Sequence, residues 1–89
     1  LEAVAKLHGF VFDAHEKALR ALFGRDVALA ESLRVEGRKR FVSVFQEVEN
    51  IVGSLSGEAA PNVLAVVSFL GRIFDAGVDI ADLVMPRIG

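Results

Sequence analysis

Ala21-Leu22-Phe23-Gly24-Arg25-Asp26-Val27-Ala28-Leu29-Ala30 is the stretch on which the fold turns. Apolar residues recur at helical spacing on both sides of it, and only Gly24-Arg25-Asp26 interrupts them. Gly24 is the expected stop of the first helix, because glycine accepts the left-handed backbone that commonly closes one. Asp26 is the expected N-cap of the second, its carboxylate placed to accept from free amides of the next turn. So short a link makes the two helices antiparallel neighbours.

Upstream of the corner, Val4, Leu7, Val11, Ala14, Ala18 and Leu22 form one stripe, widened by Phe10, Leu19 and Phe23. The spacing predicts a helix over about residues 2–23. Downstream, Ala30, Leu33, Gly37, Phe41, Val44, Phe45, Val48, Ile51 and Val52 mark the buried side of a helix over about 27–52. Gly37 is its weak point, since a mid-helix glycine costs about 1 kcal/mol relative to alanine. A close helix approach or a bend would explain it, and continuity is the expectation. Residues 53–61 are the one clear loop signal, and Pro61 suits a first helical turn. A third helix is expected over about 61–85, stopped by Pro86. Three long rods on short links make an all-α, antiparallel up-down-up three-helix bundle, one domain across residues 1–89.

Composition narrows the function. The chain has 89 residues, 53 % of them hydrophobic, with no Cys, Trp or Tyr, so disulfide staples, zinc knuckles and thiol catalysis are excluded. A net charge of −2 gives no global basic field for nucleic acid. The longest uncharged apolar stretch, Pro61 to Gly71, falls well below the roughly 18 to 20 residues of a membrane span. The opening Leu1-Glu2-Ala3, with no Met and no leader, is expected of a trimmed piece, and a cytoplasmic location is the expectation.

The third helix carries the most information. Val63-Leu64-Ala65-Val66-Val67-Ser68-Phe69-Leu70 is apolar on almost every side, more than two sister helices can wrap. Val63, Val66, Val67, Phe69 and Leu70 are therefore the expected contact with a partner chain, most simply a second copy. Farther along, Asp75, Asp79 and Asp82 stand in one column within about 60° of arc, with Ser68 and Arg72 on the same stripe. Like charges at i,i+4 spacing cost about 0.2 to 0.5 kcal/mol, and acids near a helix C-terminus add to that. A solvated face, an ion-paired seam to Arg72 or to Arg38-Lys39-Arg40, and a metal ion held by Asp75, Asp79 and Asp82 are the three readings.

Two stretches resemble the PhoU family of phosphate-uptake regulators. The corner Ala21 to Ala30 is similar to that family's Ala-Leu, Asp, Leu-Ala turn between its first and second helices. Leu70-Gly71-Arg72-Ile73-Phe74-Asp75-Ala76-Gly77-Val78-Asp79-Ile80-Ala81-Asp82 resembles its third-helix pattern of Arg-Ile, Asp and an Ile-Ala-acid ending. Helix order and length resemble one PhoU three-helix repeat over about residues 3–85. The resemblance implies a cytoplasmic, non-catalytic regulator that works with a phosphate ABC transporter and, in many bacteria, a sensor histidine kinase. It also implies an iron or zinc site on acidic residues, for which Asp75 and Asp79 match one family spacing and Asp82 stands where Glu is usual. Gly37-Arg38-Lys39-Arg40-Phe41 reverses the charge where the family has acidic pairs on its second helix. A single repeat further implies a homodimer that rebuilds a six-helix unit.

Other constellations are weak. His8 and His15 share a face of the first helix, but their seven-residue spacing is not that of a metalloprotease helix. Ser43, Ser54, Ser56 and Ser68 sit in no nucleophile elbow. Gly53 to Gly57 lacks the ending of a phosphate-cradling loop. Arg34, Arg38, Lys39 and Arg40 raise anion or nucleic-acid contact, but Glu31 and Glu36 interrupt the run, and a solvated or ion-paired face is favoured. No enzyme is expected. The alternative to a phosphate regulator is a helical oligomerisation or carboxylate metal-binding module.

Overall fold

A computed structural model describes residues 2–55, 57 and 59–84. It is all-α, with no strand among the described residues. Helix α1 spans Glu2–Gly24, and α2 spans Val27–Ser32. A π-helical turn over Leu33–Gly37 leads directly into α3, Arg38–Val52, and α4 spans Ala59–Val84. Because Leu33, Gly37 and Arg38 all keep helical dihedrals, α2, the π turn and α3 form one uninterrupted rod. Three rods result.

The corner after α1 forms as the sequence indicates, with one displacement. Gly24 remains helical, and it is Arg25 that takes the left-handed backbone, with φ 51°. Two hydrogen bonds show why. The Asp26 N–H donates to the Ala21 carbonyl at 2.9 Å and the Arg25 N–H to the Leu22 carbonyl at 3.4 Å. That pairing puts the left-handed residue just past the helix end, at position 25. The Asp26 carboxylate accepts from the Leu29 N–H at 3.0 Å, capping α2.

At its far end the second rod closes on Ser54, whose Oγ donates to the Ile51 carbonyl at 2.7 Å. Helix α4 begins at Ala59, two residues before the expected Pro61. Pro61 is tolerated there because first-turn amides have no intrahelical acceptor to lose. The expected end at Met85 and the Pro86 stop lie outside the described residues.

The core runs down the middle of the rods. Leu7, Val11, Ala14, Ala18 and Ala21 come from α1, Ala30, Leu33, Val44, Val48 and Val52 from the second rod, and Val67, Leu70, Phe74, Val78 and Ala81 from α4. Buried Phe74 stacks on Phe41 at 4.4 Å between centroids and on Phe10 at 5.9 Å, so one ring from each rod meets at mid-length. Three core expectations fail. Leu19 and Phe23 are exposed because they lie round α1 from the buried arc. Ile51 is exposed where it lines an open hollow beside Glu2, Val4 and Val63 at the end of its rod. Gly37 marks neither a close approach nor a break: only its own rod would touch a Cβ placed there, and the helix passes through it as a π turn. The body measures 51 × 23 × 17 Å, long and thin for its residue count. Such a shape leaves much apolar surface without internal cover. Among the described residues no helix is long and apolar enough to cross a membrane.

Candidate interaction surface

Small residues set the approach of α1 and α4. Ala14, Ala18 and Ala21 are buried on α1, and Gly77 and Ala81 are buried on α4. A Cβ added at Gly77 would lie 3.6 Å from His15 Cα, so the two backbones nearly touch. Gly71 marks the other flank of α4, where a Cβ would lie 3.9 Å from the Phe41 ring on α3. The side of α4 that carries Gly77 therefore looks toward α1, away from the second rod.

Apolar side chains continue outward from this seam on both helices. At 100° per residue, Phe12, Leu19 and Phe23 fall within about 40° of one another on α1, next to His15. Val66, Phe69, Ile73 and Ile80 fall within about 60° on α4, next to Gly77. Phe69 is 60 % exposed and Phe23 83 %, values far beyond ordinary for phenylalanine. The His8 ring lies 4.6 Å from Phe12 and extends the stripe on α1. Within these arcs neither stripe carries an Asp, Glu, Lys or Arg, and Glu16, paired with Arg20, borders the α1 stripe about 20° beyond Phe23. One face, two helices wide, is thus apolar, with formal charge only at its rim.

This revises the expected contact residues. Val66 and Phe69 are exposed as anticipated, and Val63 is half-buried against the core. Val67 and Leu70, each 2 % exposed, belong to the core, because they share the arc of Phe74 and Val78 and the sister rods do cover that side. The sequence stripe places Leu19 and Phe23 inward and does not single out Phe12, yet all three are exposed on α1. A helical-wheel placement relative to Leu7, Ala14 and Ala18 would have found all three.

The acidic column lies round α4 from the apolar stripe. Asp82 pairs with Arg34, Nε to Oδ1 at 2.6 Å, and Arg34 also reaches Glu31 at 3.3 Å. Arg34, one turn before the expected basic run, is the cation that answers the column. Asp75, Asp79, Arg72, Arg38, Lys39 and Arg40 are exposed, and none of them forms an ion pair among the described residues. Lys39 and Arg40 instead line a groove toward α1. A cross-rod pair, Lys6 to Glu47 at 3.5 Å, ties α1 to α3.

Among the described residues, no three of His, Cys, Asp and Glu converge on a common point. A closed iron or zinc centre needs ligands from more than one helix. Asp75 and Asp79 offer one i,i+4 pair on an exposed face, and Asp82 is held by Arg34. Within one copy, Asp75, Asp79 and Asp82 do not by themselves complete such a centre among the described residues.

Comparison with protein-family models, curated proteins and solved structures finds no match.

Proposed function

We propose that this chain is a non-catalytic helical regulatory domain that works through protein–protein contact, pairing with a second copy of itself across the α1/α4 face. The observation that carries the reading is the apolar face formed by Phe12, Leu19, Val66, Phe69, Ile73 and Ile80, with charged residues only at its rim. From Val66 to Ile80 it runs about 21 Å along α4. Across two helices about 8 to 10 Å apart it covers roughly 400 Å² on each copy. Two copies together bury about 800 Å², the size of a weak, transient pairing. The rim carries Asp75 and Asp79 beside Arg72, which disfavours an anionic lipid surface.

The finer architecture is part of the proposal. Lys6 lies beside Glu47, Phe41 beside Phe74, and Arg34 beside Asp82. This order of neighbours supports an antiparallel up-down-up arrangement of the kind a PhoU-like repeat would have. On the resemblance of the corner and of Arg72 to Asp82, the regulated process is phosphate uptake in the cytoplasm, through a phosphate transporter or its sensor kinase. An oligomerisation module with no phosphate role is the alternative.

Light scattering at high micromolar concentration tests the pairing. A dimer is expected, with Phe69→Asp and Phe12→Asp each giving a folded monomer. A monomeric wild-type chain would refute it. Expression from a phosphate-responsive promoter in a deletion strain separates the two regulatory readings: derepression supports the phosphate role, and unchanged expression leaves an oligomerisation module.

A further inference from the structure

The outward side chains of α4 follow a stricter order than an apolar patch requires. Val66, Phe69, Ile73, Ala76, Ile80 and Leu83 recur at alternating steps of three and four residues, the a and d positions of successive heptads. None of the six is buried, and Leu83 keeps 59 % of its surface open. The contacts of α4 with its sister rods come from other residues, Val67, Leu70, Phe74, Val78 and Ala81. A second seam therefore runs down the helix beside the covered one. At 100° per residue it drifts about 20° per heptad, which a left-handed supercoil with one partner helix takes up. Arg72 and Asp79 each stand one residue before an a position, Ile73 and Ile80, and so line one flank of this seam at g. Both are exposed, and neither forms an ion pair among the described residues. The other flank, which carries Gly77, is where α1 lies.

We propose that α4 pairs with α4 of a second copy as an antiparallel coiled coil, its two-fold axis level with Phe74 and Asp75, and with Arg72 of each copy set against the partner's Asp79. This rests on the pairing proposed above and gives it a direction, a register and a rim. Turned end for end, the seam meets itself in step: Val66 faces the partner's Leu83, Phe69 the partner's Ile80, and Ile73 the partner's Ala76. The same register brings Arg72 within two residues, about 3 Å along the axis, of the partner's Asp79, and symmetry makes that pair twice. A parallel pair would set Phe69 on Phe69 and Ala76 on Ala76, one layer crowded and the next hollow. It would also place Gly77 and Val84 across from Arg72 and Asp79, leaving both charges unanswered. On α1, His15 is level with Gly77, and Val4 shares a hollow with Val63, so α1 runs alongside α4 in the same direction. The axis therefore crosses α1 beside Phe12, where the two exposed Phe12 rings meet and close the flank opposite the ion pairs. One sequence supplies both the layers and the answering charges, which makes a second copy the occupant of the seam.

Disulfide capture reads the direction, since the chain has no cysteine of its own. Val66→Cys and Leu83→Cys chains are mixed in equal amounts, oxidised mildly, and the covalent dimers sorted by mass. The mixed dimer is expected at least tenfold above either like-with-like dimer, because the antiparallel register holds two thiols at position 83 about 26 Å apart. Like-with-like disulfides in equal or greater yield, or no enrichment of the mixed one, would overturn the direction and register while light scattering still shows a dimer. A monomer by light scattering would instead remove the pairing itself. Arg72→Asp and Asp79→Arg should each weaken dimerisation at least fivefold with helical content unchanged, and the chain carrying both should recover to within about twofold of wild type. Absence of that recovery would overturn the ion-paired rim.

Discussion

Replacing Arg25 by glycine should make this protein more stable, although it removes a charged side chain and adds a flexible residue. Arg25 sits at φ 51°, where a Cβ crowds the following carbonyl. An L-residue other than glycine pays about 1 to 2 kcal/mol for that conformation. Glycine returns about 0.5 to 1 kcal/mol of this through its greater freedom in the unfolded chain. Arg25 is exposed and in no ion pair among the described residues, so the substitution forfeits no contact seen there. The net gain is about 0.5 to 1 kcal/mol, worth roughly 2 to 8 °C in the unfolding midpoint of a chain this size. Thermal melts by far-ultraviolet circular dichroism at fixed protein concentration measure it. Asp26→Ala in the same melts should move the midpoint down, because the cap to Leu29 contributes about 1 kcal/mol. A midpoint for Arg25→Gly equal to or below wild type would refute the reasoning that position 25, and not Gly24, bears the left-handed turn.

Two further outcomes test the seam and the acidic column. Gly77→Ala should be neutral to stabilising by up to about 1 kcal/mol, since a Cβ there makes ordinary contact with His15 and helix propensity improves. Gly77→Leu should cost about 1 to 3 kcal/mol by forcing α1 and α4 apart, and urea unfolding distinguishes the two. Asp79→Asn should shift stability by no more than about 0.5 kcal/mol. Asp82→Asn should lose up to about 1 kcal/mol, the ceiling for a half-exposed pair such as that with Arg34, and the loss should shrink as salt is raised.

Much of the fold was legible because helical periodicity is a local property. The first rod was expected over residues 2–23 and spans Glu2–Gly24, and the second was expected over 27–52 and ends at Val52. Asp26 announced its cap because carboxylate, spacing and the apolar run after it agree. The π turn was not legible. Gly37 weakens the helix there, but periodicity does not say whether the chain breaks, bends or widens, and the rod takes the last course over Leu33–Gly37. The contact surface was half legible. Hydrophobic density flagged residues 63–70 but could not say which of them the sister rods would cover, so Val67 and Leu70 went inward while Phe69 stayed out. The partner of the acidic column was missed because Arg34 and Asp82 are far apart in sequence and meet only when the second rod lies beside α4.

The meeting of Phe10, Phe41 and Phe74 has a spectroscopic consequence. A chain without tryptophan or tyrosine has phenylalanine as its principal near-ultraviolet chromophore. Phe12, Phe23 and Phe69 face outward, where rotating rings give little chiral signal, while the stacked trio is held in one geometry at the centre of all three rods. The fine structure of the aromatic circular dichroism spectrum is thus a label-free gauge of whether the rods are docked, and it should vanish before helical content does if they ever come apart while still wound.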